Sequence, residues 1–173
     1  MLMVISCKSF AQSASGIGLS YGPSKPFSGD YNFGSGGQLF GNIAIANRLE
    51  IVPSLGVESL NSKGRTYQVD PYNTKHIDNI GLVYLGVSGK YYFNRQFFVK
   101  AGPTLYVGGG GDDIAAAGIG GTAAGGYNLD LDEHSTLELS IFTSLVYIES
   151  NGNGTTPIAG FKVGYVFNFK GRK

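Results

Sequence analysis

The sequence predicts an all-β fold, an eight-stranded antiparallel up-and-down transmembrane β-barrel, and three observations carry that prediction. Apolar residues alternate with small or polar ones, with period two, along eight segments. The connections between these segments alternate between short and long. Charged residues make up 14% of the 173, against the ~25% usual for soluble domains, so something other than a wet, charged surface must cover the protein.

The chain starts MLMVISCKSFAQ. Residues 1–11 read as a secretory signal, because Ser9-Phe10-Ala11 places small residues at the first and third positions before a cut at Gln12. The run is short and has no leading Lys or Arg, as if truncated. Val4-Ile5-Ser6-Cys7 offers a second reading as a lipoprotein box, with Cys7 as the lipidated residue. Cleavage after Ala11 would remove the only cysteine, which suits an oxidising compartment. Residues 12–173 then form one barrel domain.

The expected strand centres lie near residues 18, 42, 55, 86, 102, 123, 142 and 163. Asn47-Arg48, Asn94-Arg95 and the stretch from Asp130 to His134 are the short connections. Gly22 to Phe33, Asn61 to Ile77, Gly108 to Ala115 and Ser150 to Thr155 are the long ones. Three short connections on one rim and four long ones on the other, with both termini on the short rim, is the wiring of a barrel exported from the periplasm. Pro53 and Pro103 fall within strands, where each removes a ladder donor, and local bulges are expected there.

One parity is almost wholly apolar, as in Ile17, Leu19 and Tyr21 or Phe161, Val163, Tyr165, Phe167 and Phe169. The other is mostly small or polar, as in Gly16, Gly18 and Ser20 or Gly118, Gly120 and Thr122. An inward apolar face would make a soluble, lipocalin-like binder with a wet wall of Gly, Ser, Thr and Ala, which fits soluble surfaces poorly. The outward reading is therefore preferred: apolar residues face lipid, and small side chains fill a narrow lumen. Aromatics support it. Tyr91, Phe93, Phe97, Tyr127, Phe167 and Phe169 fall near the short-turn rim, and Tyr21, Tyr147 and Phe161 near the long-loop rim, as two interfacial girdles. A mean hydropathy of +0.02 is no objection, since alternation averages out.

The C-terminal segment IAGFKVGYVFNFK, the Asn-Arg turns and the hairpin LVYLGVSGKYYFNRQFFVKAGPTLYVGGG resemble the outer-membrane β-barrel domain family that includes OmpA/OmpX-like and PorT-like proteins. The resemblance covers nearly the whole mature chain and implies a bacterial outer-membrane location. It further implies that the last strand, through Phe161, Tyr165, Phe167 and Phe169, is read by the barrel-insertion machinery. Lys170-Gly171-Arg172-Lys173 follow where that family's signal ends on an aromatic.

Six inward charges, Glu50, Glu58 and Glu138 against Lys90, Lys100 and Lys162, balance three to three and are expected to pair inside the lumen. Structural pairing is preferred over ion gating, and Glu50 with Lys90 is the first pair expected. No enzymatic activity is expected. His134, Ser135 and Glu138 superficially match a barrel deacylase, but they fall at the periplasmic rim with Glu138 inward. Asp112, Asp113, His76 and Asp78 are ordinary loop residues before they are a protease site. Two histidines on opposite rims share no metal, the Gly108 to Gly111 run opens no helix for phosphate, and no cofactor is expected. The net charge of +1 argues against nucleic acid. The expected partners are outer-membrane lipid, the insertion machinery and an extracellular ligand or protein met by the second long loop through Lys63, Arg65, Tyr67 and Tyr72. A monomer is expected. A structural or surface-binding barrel is the leading reading, with a narrow porin-like pore and a PorT-like secretion helper as alternatives.

Overall fold

A computed structural model describes residues 15–27, 29–76, 78–110, 114–148 and 154–169. The expected signal segment, with Cys7, and the tail from Lys170 lie outside them. Ten strands run in chain order: β1 Gly16–Pro26, β2 Gly34–Ala46, β3 Leu49–Leu60, β4 Thr66–Asp70, β5 Asn73–His76, β6 Ile80–Tyr92, β7 Phe97–Gly110, β8 Ile114–Asp130, β9 Ser135–Ile148 and β10 Gly154–Asn168. Eight of them close an all-antiparallel barrel in the order β1-β10-β9-β8-β7-β6-β3-β2. The remaining two, β4 and β5, form a separate hairpin inside the second long connection. Closure leaves no sheet edge within the wall, the condition for a β structure in lipid.

The short connections have local chemical causes. Asn94 Oδ1 accepts the backbone N–H groups of Gln96 (2.9 Å) and Phe97 (2.7 Å), closing the turn between β6 and β7. Asp132 Oδ1 accepts the His134 N–H at 2.7 Å between β8 and β9, and these bonds hold its carboxyl below the usual aspartate range. On the other rim β1 and β7 run further than expected, to Pro26 and Gly110, and the stretch from Asn61 folds partly into β4 and β5. The outer connections are accordingly more structured than a loop reading implies.

The expected bulges at Pro53 and Pro103 are absent. Pro53 pairs in register with Val87 and Pro103 with Gly121, and the two flanking ladders resume on the same register beyond each proline. Each proline simply forfeits the bonds its missing N–H would have made to one neighbour, β2 for Pro53 and β6 for Pro103. A closed barrel bears such a gap because the strands on both sides hold the register. Among the described residues of the barrel, a register shift instead lies at Ala44/Ala46, beside the tight turn at Asn47-Arg48.

Burial alternates along the strands with the apolar parity outward. Ile17, Leu19, Leu39, Leu55, Val83, Leu85, Leu105 and Ile141 are all exposed, several of them by more than half. The lipocalin-like arrangement, which would bury this parity, is not the one formed. The inward parity is less uniformly small than expected. Phe40, Tyr84, Tyr92, Phe98, Tyr106 and Phe142 are buried in the lumen with Val52, Val146, Ile158 and Val166. Glycines make room for five of these rings: Gly18 lies under Phe40, Gly56 under Tyr84, Gly126 under Phe98, Gly120 under Tyr106 and Gly160 under Phe142. The lumen is thus a packed core rather than a pore, as eight strands allow.

Candidate functional site

All six expected lumen charges are buried, and they form two separate clusters. Near the short-turn end, Lys90 and Lys100 are direct register partners on β6 and β7, a costly juxtaposition of like charges. Glu138 reaches in from β9 and answers both. Its Oε2 accepts from Lys90 Nζ at 2.6 Å and its Oε1 from Lys100 Nζ at 3.0 Å. Glu50, the partner expected for Lys90, lies 4.0 Å from it although the two are register neighbours. The closer partner lies across the lumen, and Glu50 instead accepts the Tyr92 hydroxyl at 3.2 Å. The rings of Phe98 and Tyr92 stand 4.1 and 5.1 Å from Lys90 Nζ, and Phe40 stands 5.4 Å from Lys100 Nζ, adding cation–π contact in place of water.

Nearer the long-loop end, Lys162 Nζ donates to Glu58 Oε2 at 3.4 Å and to the Tyr84 hydroxyl at 3.0 Å, and Tyr84 donates to Gln38 Oε1 at 3.0 Å. Glu58 lies beside Gly36 and Lys162 beside Gly22, and these two glycines face each other in β2 and β1. With no side chain on either intervening strand, the pair closes over bare backbone. Each cluster is electrically neutral by itself. Between them a chamber of about 40 Å³ is lined by hydroxyls, including the linked set Thr104, Thr122, Ser144 and Tyr106. At ~10–15 Å³ each it has room for about three waters.

The outer end is sealed. Leu60, Ile80, Leu82, Val146 and Ile158, at most 1% exposed, make an apolar layer with Tyr31, which is 2% exposed. Tyr31 belongs to the first long connection, tied to the second by a lattice of bonds. Asn32 N–H donates to Asn61 O (2.7 Å), Lys63 N–H to Asp30 O (2.9 Å) and Asn61 Nδ2 to Phe33 O (2.8 Å). Gly64, with φ of 68°, then turns the chain out toward the β4/β5 hairpin. Burial, and then Asp30 and Asp78, push the Tyr31 phenol up to about 12. Because a tyrosine raised in the folded state favours the neutral form, its contribution is complete below pH ~10 and is lost as pH rises toward about 12. In an ultraviolet titration of phenolate, Tyr31→Phe should remove one tyrosine from the late-titrating phase. A Tyr31→Phe curve superimposable on the parent would contradict the buried cap.

Of the loop residues singled out from sequence, Lys63 donates through Nζ to Gly29 O at 2.9 Å, and Arg65 lies 3.5 Å from Asp30. Both are therefore engaged in lacing the rim. Tyr72, at the hairpin tip, is 96% exposed. The Tyr67 side chain lies outside the described residues, as does that of Tyr147. Tyr91, Phe93, Phe97, Tyr127, Phe167 and Phe169 lie near the short-turn strand ends on the outward parity or just past them, with Phe97 on Tyr127 (4.8 Å between centroids) and Tyr91 on Phe93 (5.5 Å), whereas Tyr21 and Phe161, expected near the long-loop rim, face outward from the middle of β1 and β10. His134, Ser135 and Glu138 do not converge. The His134 ring stacks on Phe167, Ser135 Oγ lies 2.7 Å from the Tyr165 hydroxyl, and Glu138 is held by the lysines. Asp112 and Asp113 lie outside the described residues. Sequence reasoning missed Tyr31, Tyr84 and Tyr92. For Tyr84 and Tyr92 the signal was a large residue on the small, polar parity, whereas Tyr31 lies in a connection with no strand parity to betray it.

No family model matches the chain, and no curated protein matches it. Among solved structures it is similar to Neisserial surface protein A, with a TM-score of 0.66 at 15% identity over 90% of this chain and 97% of that one. It is also similar to OprG from Pseudomonas aeruginosa, an outer membrane protein (TM-score 0.56, 11% identity, 92% and 98% covered). A third is the attachment invasion locus protein Ail of Yersinia pestis (TM-score 0.54, 11% identity, 91% and 99% covered). The fold is that of the small eight-stranded outer-membrane barrels.

Proposed function

We propose that this chain is a non-enzymatic protein of the bacterial outer membrane with a structural or surface-binding role. In this reading the barrel is an anchor and the laced outer rim is the working surface. The observation that carries it is the division of the molecule: a lumen filled by neutral charge clusters and capped by an apolar layer, beneath long connections that are bonded into a raised platform. An outward wall of exposed Leu, Ile, Val and Phe supports the membrane location, since water would not tolerate it and lipid requires it. The likeness to Ail, which has also been solved in complex with the heparin analogue sucrose octasulfate, supports surface binding as the use of such a rim.

Fractionation with heat-modifiable gel mobility tests the location. The protein is expected with the outer membrane and shifted in mobility when unboiled, and recovery in the soluble fraction without a shift would end this reading. In planar bilayers the parent protein is expected to give no steady conductance, because no open path passes the capped and charge-filled lumen. Reproducible unitary steps would favour the pore reading instead.

A further inference from the structure

Among the described residues, Lys25 is the one charged side chain on the outward parity of the eight barrel strands. It stands on β1 above the level of Tyr21 and Phe161, toward the outer rim. Its Nζ lies 4.8 Å from the centroid of the Phe33 ring, and Phe27 and Phe33 are exposed on the same side. A lone cation there, flanked by aromatics and paired with no carboxylate among the described residues, is complementary to a phosphate at headgroup depth.

A lipid-facing groove leads to it. Gly89, Ala101, Ala123, Thr143 and Ala159 are successive register partners on β6, β7, β8, β9 and β10, and Ala159 is the register partner of Lys25. Tyr91, Val99 and Ile141 wall this row, and the groove measures about 620 Å³. Because strands in such barrels tilt by ~40°, a row perpendicular to them climbs from the inner side of the wall to the outer one. Five strand spacings of ~4.8 Å give about 24 Å of path, which at that tilt climbs about 15 Å, roughly half of a ~30 Å hydrocarbon core.

We infer that the groove and Lys25 together seat one anionic, phosphate-bearing lipid of the outer leaflet, its phosphate on the Lys25 ammonium and an acyl chain along the small-residue row. The inference rests on the membrane location proposed above. It separates two contributions, charge at the rim and volume along the wall.

The test reconstitutes the full chain in phosphatidylcholine vesicles with or without phosphatidylglycerol, then counts lipids retained after detergent extraction by native mass spectrometry. The parent protein is expected to retain phosphatidylglycerol over phosphatidylcholine. Lys25→Gln should lower that preference about fivefold, the effect of one lysine at an anionic surface, and Lys25→Arg should restore it. Ala159→Leu, a lipid-facing change that leaves the lumen untouched, should reduce retention of both lipids. An undiminished preference in Lys25→Gln, or unchanged retention in Ala159→Leu, overturns the inference. A parent protein that enters vesicles and shows heat-modifiable mobility but has no preference overturns this inference alone, whereas failure to enter vesicles overturns the membrane reading with it.

Discussion

Glu138→Ala is expected to be the most damaging single substitution in the barrel, lowering unfolding free energy by about 3–5 kcal/mol in a urea titration of the protein in lipid or detergent. Glu138 is 2% exposed and is the shared acceptor of Lys90 and Lys100, which face each other across one ladder. Without it the lower cluster carries a net positive charge and two adjacent ammonium groups whose other near carboxylate, on Glu50, lies 4.0 Å from Lys90. Combining Glu138→Ala with Lys100→Met restores neutrality and is expected to cost less than the single change. A double variant no better than Glu138→Ala would mean that Glu138 acts by filling space, with charge pairing unimportant.

Gly18→Ala should also be harmful, at about 1–3 kcal/mol, although it adds a single methyl group. A Cβ at Gly18 would lie 2.5 Å from Phe40 Cζ, inside van der Waals contact along the edge of the ring, with the nearest atoms all belonging to that side chain. Phe40 is 2% exposed, and it also stands 5.4 Å from Lys100 Nζ, so its displacement disturbs the lower charge cluster. Shortening the partner in Gly18→Ala/Phe40→Leu is expected to recover part of the loss. Equal stability of Gly18→Ala and the parent would show that the ring has room to retreat.

The barrel was legible because lipid and lumen make different demands on alternate residues, and runs such as Ile17-Gly18-Leu19-Ser20-Tyr21 record both. The same averaging hid the interior aromatics. Phe40 or Phe98 looks anomalous on a small parity until the register sets it over Gly18 or Gly126, and register is a property of two strands. The six charges could be assigned to the lumen from parity alone, but their pairing could not. Glu50 and Lys90 are neighbours along the wall, whereas Glu138 meets Lys90 across the barrel, a distance that depends on curvature and tilt. Pro53 and Pro103 suggested bulges because an isolated ladder would distort, and a closed wall does not. The lacing of Asp30, Asn32 and Phe33 to Asn61 and Lys63 joins two loops more than twenty residues apart and has no periodic signature.

The ion pair laid over Gly22 and Gly36 bears on the order in which the molecule can be assembled. Glu58 and Lys162 are separated by 104 positions in the chain, yet they flank the seam where the first and last strands meet. A sheet lacking its final strand would lack the lysine that Glu58 pairs with in the closed barrel. Closure of the barrel is therefore what brings Glu58 its counter-ion, because Lys162 arrives on the last strand and reaches the carboxylate only once that strand lies against the first.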